Sequence, residues 1–262
     1  FYTMHNRNCL NLNYNDNSKL NIKKITEIFN AGKKEVIIDY NDWTDTRNIP
    51  PDINVHKYFK RSIVKKENSI SKELVKYKIE ITPISYGIRT DFIEYDKLYN
   101  NQMYKKYNYD VCCLFKNGGG FRSSITDIVN KYNGSKFVGR VDCPNRYGQV
   151  STKYFEILKT SKIIVTANPP YWEGDFRLWE ALLMGNLVLC DKMLVPSLII
   201  HPLINKKHLV YYNNMKELEL LINYYIDNQY ERDKIGKEGR EFCLKYHKFS
   251  DRVTEVINTL KH

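Results

Sequence analysis

The sequence predicts an α/β fold of two facing Rossmann-like domains with a cleft between them, each domain a parallel sheet covered by helices. In the second half of the chain, short apolar runs alternate with helical segments over short links. Such alternation produces parallel strands with crossover helices. The first hundred residues carry an apolar run of their own, at 35–39, which ends in a carboxylate. A chain of 262 residues that is 42% hydrophobic can bury one large core or two smaller ones.

The second domain is predicted to span residues 106–262. Strands that are buried on both faces read as continuous apolar runs, and five runs fit this pattern: 111–115, 136–141, 163–166, 187–190 and 209–211. Periodicity and capping residues predict six helices, at 122–132, 152–159, 175–184, 215–227, 231–246 and 251–260. We expect Gly185 to end the third of these helices and Ser250 to cap the last.

The first domain is predicted to span residues 1–105 and is less regular. Strands are expected at 1–4, 35–39, 61–64 and 78–81, with an amphipathic helix at 22–29. The polar stretch at 99–109, rich in Tyr and Lys, is the expected junction between the domains. We also expect the last helix to pack back on the first domain. A cleft between two α/β domains is the default place for a ligand.

The cysteine pattern argues against a disulfide scaffold and against a zinc ribbon. Six cysteines are sparse for 262 residues, and none belongs to a Cys-x-x-Cys pair. No apolar stretch approaches the roughly 20 residues of a membrane span, and no secretory signal opens the chain. Phe1 in place of Met indicates a sequence that begins inside a longer gene product. These observations together predict a cytoplasmic protein with reduced thiols.

Two interpretations of the net charge of +11 stay open. A basic surface attracts anions such as nucleic acid, phosphorylated metabolites or anionic lipid. The same excess of Lys, together with abundant Asn, Tyr and Ile, is what an AT-rich genome produces, and it points to a viral or parasitic source. A Lys- and Arg-rich helix near 234–248 reads as a solvated face, with peripheral membrane contact as the alternative.

The segment 172–186 is the sharpest candidate for a binding site, because it follows a strand and opens a helix. Ligands of open α/β sheets lie beyond the carboxyl ends of the strands, where helix N-termini favour a phosphate. The backbone of Gly174, Asp175 and Phe176 would face such a group, and Arg177 would add a bidentate cation. Glu180 lies one turn further on the same helix face and could accept hydrogen bonds from ribose hydroxyls. The alternative is an exposed ion pair between Arg177 and Glu180.

Two further features could contact phosphate at the same edge. Gly118, Gly119 and Gly120 follow the first strand of the second domain and lead to Arg122 in the next helix. Arg140 ends the next predicted strand and would point into the same crevice. A plain turn and a solvated arginine are the alternatives. The run is neither Gly-x-Gly-x-x-Gly nor a Walker loop, which disfavours dinucleotide and P-loop chemistry.

The segment at 164–185, with its Arg177-x-x-Glu180-Ala181 and Gly185, resembles the nucleotide-sugar-binding region of exostosin-like glycosyltransferases of the GT-B fold, and the tail at 208–253 agrees with it. The resemblance covers about residues 110–262. It implies that Glu180 holds the ribose and that Arg177 and Arg122 hold the diphosphate of a nucleoside diphosphate sugar. We favour a UDP-sugar as the donor, with xylose as a candidate sugar. Glu173 stands one residue too close to Glu180 for the Glu-x7-Glu motif of many such enzymes, so it is not carried over.

The resemblance also implies an inverting reaction that needs no metal. The chain contains no Asp-x-Asp triplet, which metal-chelating transferases of the other common fold normally use. Arginines and a helix N-terminus can stabilise the leaving diphosphate instead. Inversion needs one general base, which should come from the first domain. Asp42 is the first candidate, with Asp45 and His5 in reserve, although Asp and Asn in such a loop also favour plain turns.

The favoured hypothesis is thus a glycosyltransferase with a nucleotide-sugar donor, a glycan acceptor, no cofactor and no nucleic-acid partner. One alternative is a basic nucleic-acid-binding protein, although no RNP, zinc-finger or helix-turn-helix signature is present. Another is a catalytically silent module that binds a nucleotide or a sugar.

Overall fold

The computed structural model describes residues 2–4, 35–40, 46, 55–62, 75–76, 78–99, 106–114, 120–132, 152–168, 173–192 and 200–259. Within these residues the strands form two four-stranded sheets, and every neighbouring pair of strands is parallel. The predicted α/β class is confirmed. The predicted helix at 22–29 and the predicted strand at 136–141 lie outside the described residues.

The first sheet has the order β1-β2-β3-β4. Its strands are β1 (Tyr2–Met4), β2 (Glu35–Asp39), β3 (Val55–Lys60) and β4 (Ile81–Pro83). The prediction was right for β1 and β2, but β4 begins at the last residue of its predicted range. The strand predicted at 61–64 was wrong at its start, because β3 ends at Lys60 and Arg61 and Ser62 form a bend; residues 63 and 64 lie outside the described residues. Polar residues within β3 conceal it from a search for apolar runs.

The second sheet has the order β5-β6-β7-β8. Its strands are β5 (Tyr109–Cys112), β6 (Ser161–Thr166), β7 (Leu187–Asp191) and β8 (Val210–Tyr212). The helices are α1 (Thr90–Tyr99), α2 (Phe121–Val129), α3 (Thr152–Lys159), α4 (Phe176–Leu183), α5 (Met215–Asp227), α6 (Gln229–Tyr246) and α7 (Phe249–Thr259). Six of these helices were predicted, whereas α1 was not.

The last helix starts earlier than its predicted cap. Ser250 lies inside α7, and the backbone N–H of Lys248 donates to Asp251 Oδ2 at 2.8 Å. A carboxylate in the first turn therefore satisfies the backbone at this end, in the manner of a capping box. The expectation that Ser250 caps the helix was wrong.

Alternating side chains of β6 and β7 enter two different cores. Ile163, Val165 and Leu189 pack in a cluster that includes buried residues of α2 and α5. Ile164 and Val188 pack in a cluster that includes buried residues of α4 and extends to the first sheet. Burial on both faces explains why these strands read as continuous apolar runs.

Two glycines of α6 let this helix approach the backbone beneath it. A Cβ at Gly236 would meet the carbonyl oxygen of Gly185 at 2.6 Å, and a Cβ at Gly239 would meet that of His208 at 2.2 Å. Arg240, one turn on, donates to the carbonyl of Leu183 at the end of α4. Helix α6 therefore fixes α4 from its C-terminal end.

The chain returns to the segment between β4 and α1 just before α7 begins. The N–H of Ile88 donates to His247 O at 2.7 Å, and the N–H of Phe249 donates to Ile88 O at 2.8 Å. A Cβ at Gly87 would meet the same carbonyl of His247 at 2.8 Å. The predicted division at residues 1–105 and 106–262 stays a prediction. No helix among the described residues is long and apolar enough to span a membrane.

Candidate functional site

The candidate site lies at the carboxyl edge of the second sheet, where β6 and β7 end beside the N-terminus of α4. Asp175 caps that helix: its backbone is extended and its Oδ1 accepts the N–H of Leu178 at 3.0 Å. Gly174 precedes it with φ +112°, a conformation that favours glycine. The first-turn N–H groups and the helix dipole give this end of α4 a positive potential.

Asn168 ties the end of β6 to this cap. Its Oδ1 accepts the N–H of Asp175 at 3.0 Å, while its own N–H and Nδ2 donate to Asp191 Oδ1 at 2.9 and 3.1 Å. Burial raises the pKa of Asp191 to about 6, although the hydrogen bonds from Asn168 work in the opposite direction. One amide side chain thus joins two strand ends to one helix start.

Two arginines approach this point from different helices. Arg177, in the first turn of α4, forms an ion pair with Asp175 Oδ2 at 2.5 Å and keeps about a third of its side chain exposed. Arg122, in the first turn of α2, donates to Ala167 O at 3.1 Å. Burial and the nearby charge of Arg177 lower the pKa of Arg122. The two guanidinium groups oppose each other electrostatically, which an anion bound between them would relieve.

Glu180 lies one turn further along α4 and is almost fully buried, at 6% exposure. Its Oε2 accepts the hydroxyl of Tyr154 at 2.7 Å, and its Oε1 lies 3.9 Å from Arg89 Nη1. Burial raises the pKa of Glu180 to about 7, against the effects of Tyr154, Arg89 and Arg177. The exposed ion pair between Arg177 and Glu180 was one interpretation of the sequence. In the structure Arg177 pairs with Asp175 instead.

Glu173 has a different role from Glu180. Its Oε1 accepts Arg61 Nε at 2.8 Å, and its Oε2 accepts the backbone N–H of Ser62 at 2.9 Å. Arg61 is completely buried and directly follows β3 of the first sheet. Glu173 therefore connects the start of the α4 segment to the first sheet.

An aromatic column runs beside this ion pair. Tyr86 stacks on Phe176 with ring centroids 3.9 Å apart, and the nearly parallel ring of Tyr40 lies 5.3 Å from that of Tyr86. The guanidinium carbon of Arg61 lies 4.2 Å from the centroid of the Tyr86 ring. Phe176 was predicted to contact the ligand through its backbone. Its ring packs against the first half of the chain.

The carboxyl edge of the first sheet carries a second buried polar group. Tyr58 donates its hydroxyl to Asp39 Oδ2 at 2.6 Å, and Lys60 Nζ lies 3.6 Å from the same oxygen. Burial lowers the pKa of Lys60, while Asp39 partly restores it. The three side chains stabilise one another at the ends of β2 and β3.

The predicted site residues divide into two groups. Gly120, Arg122, Gly174, Asp175, Phe176, Arg177 and Glu180 lie in the described structure. Gly120 has φ +54°, with open space where a Cβ would point. The others, Gly118, Gly119, Arg140, Asp42, Asp45 and His5, lie outside the described residues. The roles of both groups stay predictions.

Sequence reasoning missed four residues that lie around the predicted site residues Asp175 and Glu180. Asn168 lies two residues past the end of β6 and directly before two prolines, a position that could have marked it. Asp191 is the last residue of β7, but Tyr154 and Arg89 carry no local signal. Their importance arises only from contacts with Glu180, which lies 26 residues beyond Tyr154.

Two parallel sheets covered by helices, with a helix terminus at the edge of the second sheet, identify the fold class: the chain has the GT-B fold. Residues 121–258, more than half of the chain, match the family described as glycosyl transferase-like, and the chain belongs to this family. A comparison with curated proteins found no match.

Solved structures with this fold are similar only at low identity. A glycosyltransferase from Rickettsia africae ESF-5 is 13% identical with a TM-score of 0.54, over 96% of this chain and 84% of that one. HepE from Anabaena, in complex with UDP and glucose, is 12% identical with a TM-score of 0.50, over 79% and 63%. Sucrose-phosphate synthase from Thermosynechococcus elongatus is 11% identical with a TM-score of 0.51, over 79% and 58%. This chain therefore spans less than two thirds of the latter two.

Proposed function

We propose that this protein transfers a sugar from a nucleoside diphosphate sugar, with UDP as the nucleotide, to a hydroxyl group of a glycan. Membership of the glycosyl transferase-like family and the GT-B fold support the reaction class. The complex of the structural neighbour HepE with UDP and glucose supports the donor class. The finer proposals are an exostosin-like subtype, xylose as the sugar, a viral source and a cytoplasmic location.

The observation that carries the proposal is that Arg122, bonded to Ala167 O, and Arg177, paired with Asp175, both lie near the capped N-terminus of α4. Two cations and a helix terminus are donors well suited to a diphosphate. Glu180, one turn away, has the chemistry to accept hydrogen bonds from the two ribose hydroxyls. The distance from the first turn to the next suits a nucleotide whose phosphates and ribose follow one another along α4.

The reaction proposed is a single displacement with inversion. The acceptor oxygen forms a bond to the anomeric carbon while the bond from that carbon to the diphosphate oxygen breaks. The general base takes the acceptor proton, and Asp42, with Asp45 and His5 in reserve, remains our candidate. Negative charge develops on the leaving diphosphate, where Arg122, Arg177 and the helix terminus would stabilise it.

The carboxylates of this segment support a mechanism without a metal ion. Glu173 binds Arg61 and the backbone of Ser62, while Asp175 caps α4 and binds Arg177. Each therefore has a cationic partner in place of a metal. A donor held by arginines needs no divalent cation to neutralise it.

The test combines nucleotide binding with turnover. We expect UDP to raise the melting temperature of the protein, because a ligand that binds the native state stabilises it. Arg122→Ala and Arg177→Ala should each weaken UDP binding about tenfold or more, since hydrogen bonds between charged groups are the strong ones. Lys237→Ala removes one charge from an exposed side chain and serves as the control. Unchanged UDP affinity in both arginine variants would contradict the proposal.

Turnover is then measured with a panel of UDP- and GDP-sugars, with and without EDTA. Activity that survives chelation supports the metal-independent mechanism, and activity lost on chelation refutes it. Asp42→Asn should abolish transfer while UDP affinity is retained. A wild-type protein that binds UDP tightly and transfers none of the sugars would instead be a silent binding module.

A further inference from the structure

We propose that Tyr154 is a positioning residue that aims the carboxylate of Glu180 at the ribose hydroxyls of the donor. This inference deepens the proposed function and rests on it. Tyr154 was not among the residues that the sequence pattern marked. It acts through Glu180, which it contacts directly at 2.7 Å.

The geometry fixes one oxygen of the carboxylate, while the other accepts no hydrogen bond from the described residues. The Tyr154 hydroxyl donates to Oε2, whereas Oε1 has Arg89 Nη1 at 3.9 Å, beyond hydrogen-bond distance. Glu180 has three rotatable side-chain bonds, and a single short hydrogen bond to a residue of another helix removes most of that freedom. Oε1 is thereby held in one place along α4, a turn beyond Arg177.

The packing of Tyr154 explains why it can serve as a fixed support. It lies in α3, whose neighbouring residues Phe155 and Leu158 are buried in the core that includes α4. Its ring meets Phe92 of α1 edge-on at 6.3 Å. The hydroxyl is therefore presented from a helix packed against two others and does not depend on a loop.

The electrostatics favour Tyr154 as a permanent donor. Burial and the adjacent Glu180 raise the pKa of its hydroxyl well above the ordinary value, so it stays protonated. Its hydrogen bond also lowers the pKa of Glu180, which burial alone would raise further. The other charged groups that act on Glu180 are Arg89, before α1, and Asp175 and Arg177 at the start of α4.

The experiment compares UDP with 2′,3′-dideoxy-UDP, which lacks the two ribose hydroxyls, and with inorganic diphosphate. Tyr154→Phe should reduce the preference of the wild type for UDP over the dideoxy analogue about tenfold, while the affinity for diphosphate stays unchanged. A variant that weakened all three ligands equally would indicate a merely structural role and overturn the inference.

A matched control exists in α5. Tyr224 donates its hydroxyl to Glu231 Oε2, also at 2.7 Å, on an exposed surface away from the site. Tyr224→Phe removes the same type of hydrogen bond and should leave the preference for UDP unchanged. A loss of preference equal to that of Tyr154→Phe would contradict the inference.

A double-variant cycle tests whether Tyr154 acts through Glu180. On a Glu180→Gln background, Tyr154→Phe should have little further effect on the preference for UDP, whereas a full additional effect would overturn the inference. Should Tyr154→Phe fail to fold, Glu180→Asp withdraws the carboxylate from the tyrosine and should lose the preference as well; a retained preference would contradict the inference. Failure of the proposed donor site is a separate outcome, since the wild type would then bind neither UDP nor diphosphate.

Discussion

At the scale of single residues, Glu180 combines a buried position with a pKa close to neutrality. Burial raises that pKa from its ordinary range to about 7, although Tyr154, Arg89 and Arg177 favour the charged form. The carboxyl group therefore changes its charge in the range of pH in which the protein would work. The ionised carboxylate accepts hydrogen bonds from the two ribose hydroxyls more strongly than the protonated acid does. UDP affinity should therefore rise as the pH increases through 7.

The same pKa predicts a pH-dependent stability. The folded protein retains a proton on Glu180 that the unfolded chain loses above pH 4.5, so this contribution is complete below pH 4.5 and is lost as the pH rises through 7. The rise in the pKa from 4.5 to about 7 corresponds to a free energy of about 3 kcal/mol. The free energy of unfolding of Glu180→Gln, taken relative to that of the wild type, should therefore increase by up to about 3 kcal/mol from pH 5 to pH 8. Urea unfolding at both pH values measures it.

Glu241→Gln, at an exposed position of α6, is the control for that measurement. This variant should show the same difference in the free energy of unfolding between pH 5 and pH 8 as the wild type. An equal change in both variants, or none in either, would show that Glu180 does not contribute this pH dependence.

At the scale of elements, helix α6 depends on close contact more than on an apolar stripe. Its buried residues include Gly236 and Gly239 in addition to Ile235 and Cys243, and two buried or half-buried arginines bind carbonyls of other helices. Arg232 donates to Tyr225 O at the end of α5, and Arg240 donates to Leu183 O at the end of α4. These contacts satisfy helix C-termini that would otherwise need caps.

Gly239→Ala tests the close contact in α6. Alanine favours an isolated helix by about 1 kcal/mol over glycine, but here its Cβ would meet His208 O at 2.2 Å. We expect a net loss of about 2 kcal/mol in the free energy of unfolding, measured by chemical denaturation. Lys237→Ala, on the exposed face of the same helix, should be close to neutral. A more stable Gly239→Ala variant would show that the helix can move away.

At the scale of the whole molecule, the two halves meet through a buried ion pair and the aromatic column beside it. Arg61 and Glu173 have side-chain exposures of 0% and 3%, and they lie 112 residues apart in the sequence. The return of the chain at Ile88 and His247 adds backbone hydrogen bonds near the same region. The candidate site therefore lies on a segment that contacts both halves of the chain.

Glu173→Gln tests this connection. It leaves the buried guanidinium of Arg61 without its counter-charge, and breaking a buried pair in this way costs about 3 kcal/mol. The pair of Lys131 and Glu219 has a similar distance, 3.1 Å, but is exposed at 60% and 40%. Glu219→Gln should cost under about 1 kcal/mol. Equal losses in the two variants, measured by urea unfolding, would show that burial adds nothing to the Arg61 pair.

The sequence alone determined most of the second half of the chain. Strands β6 and β7 are buried on both faces, and their continuous apolar runs made them recognisable within two residues at each end. The start of α4 was equally predictable, because Asp175 caps it through a contact three residues away. The first half was less predictable, since β3 mixes buried residues with the exposed His56 and its terminal Lys60 is buried against Asp39.

Only the tertiary structure decided which side chains surround the candidate site. Tyr154 supports Glu180, Asn168 joins Asp191 to the cap of α4, and Glu173 turns to Arg61. Backbone periodicity and capping are set by neighbours within a few residues, so a linear pattern records them. Contacts between side chains far apart in the chain depend on how the helices and sheets pack, and no spacing in the sequence specifies that packing.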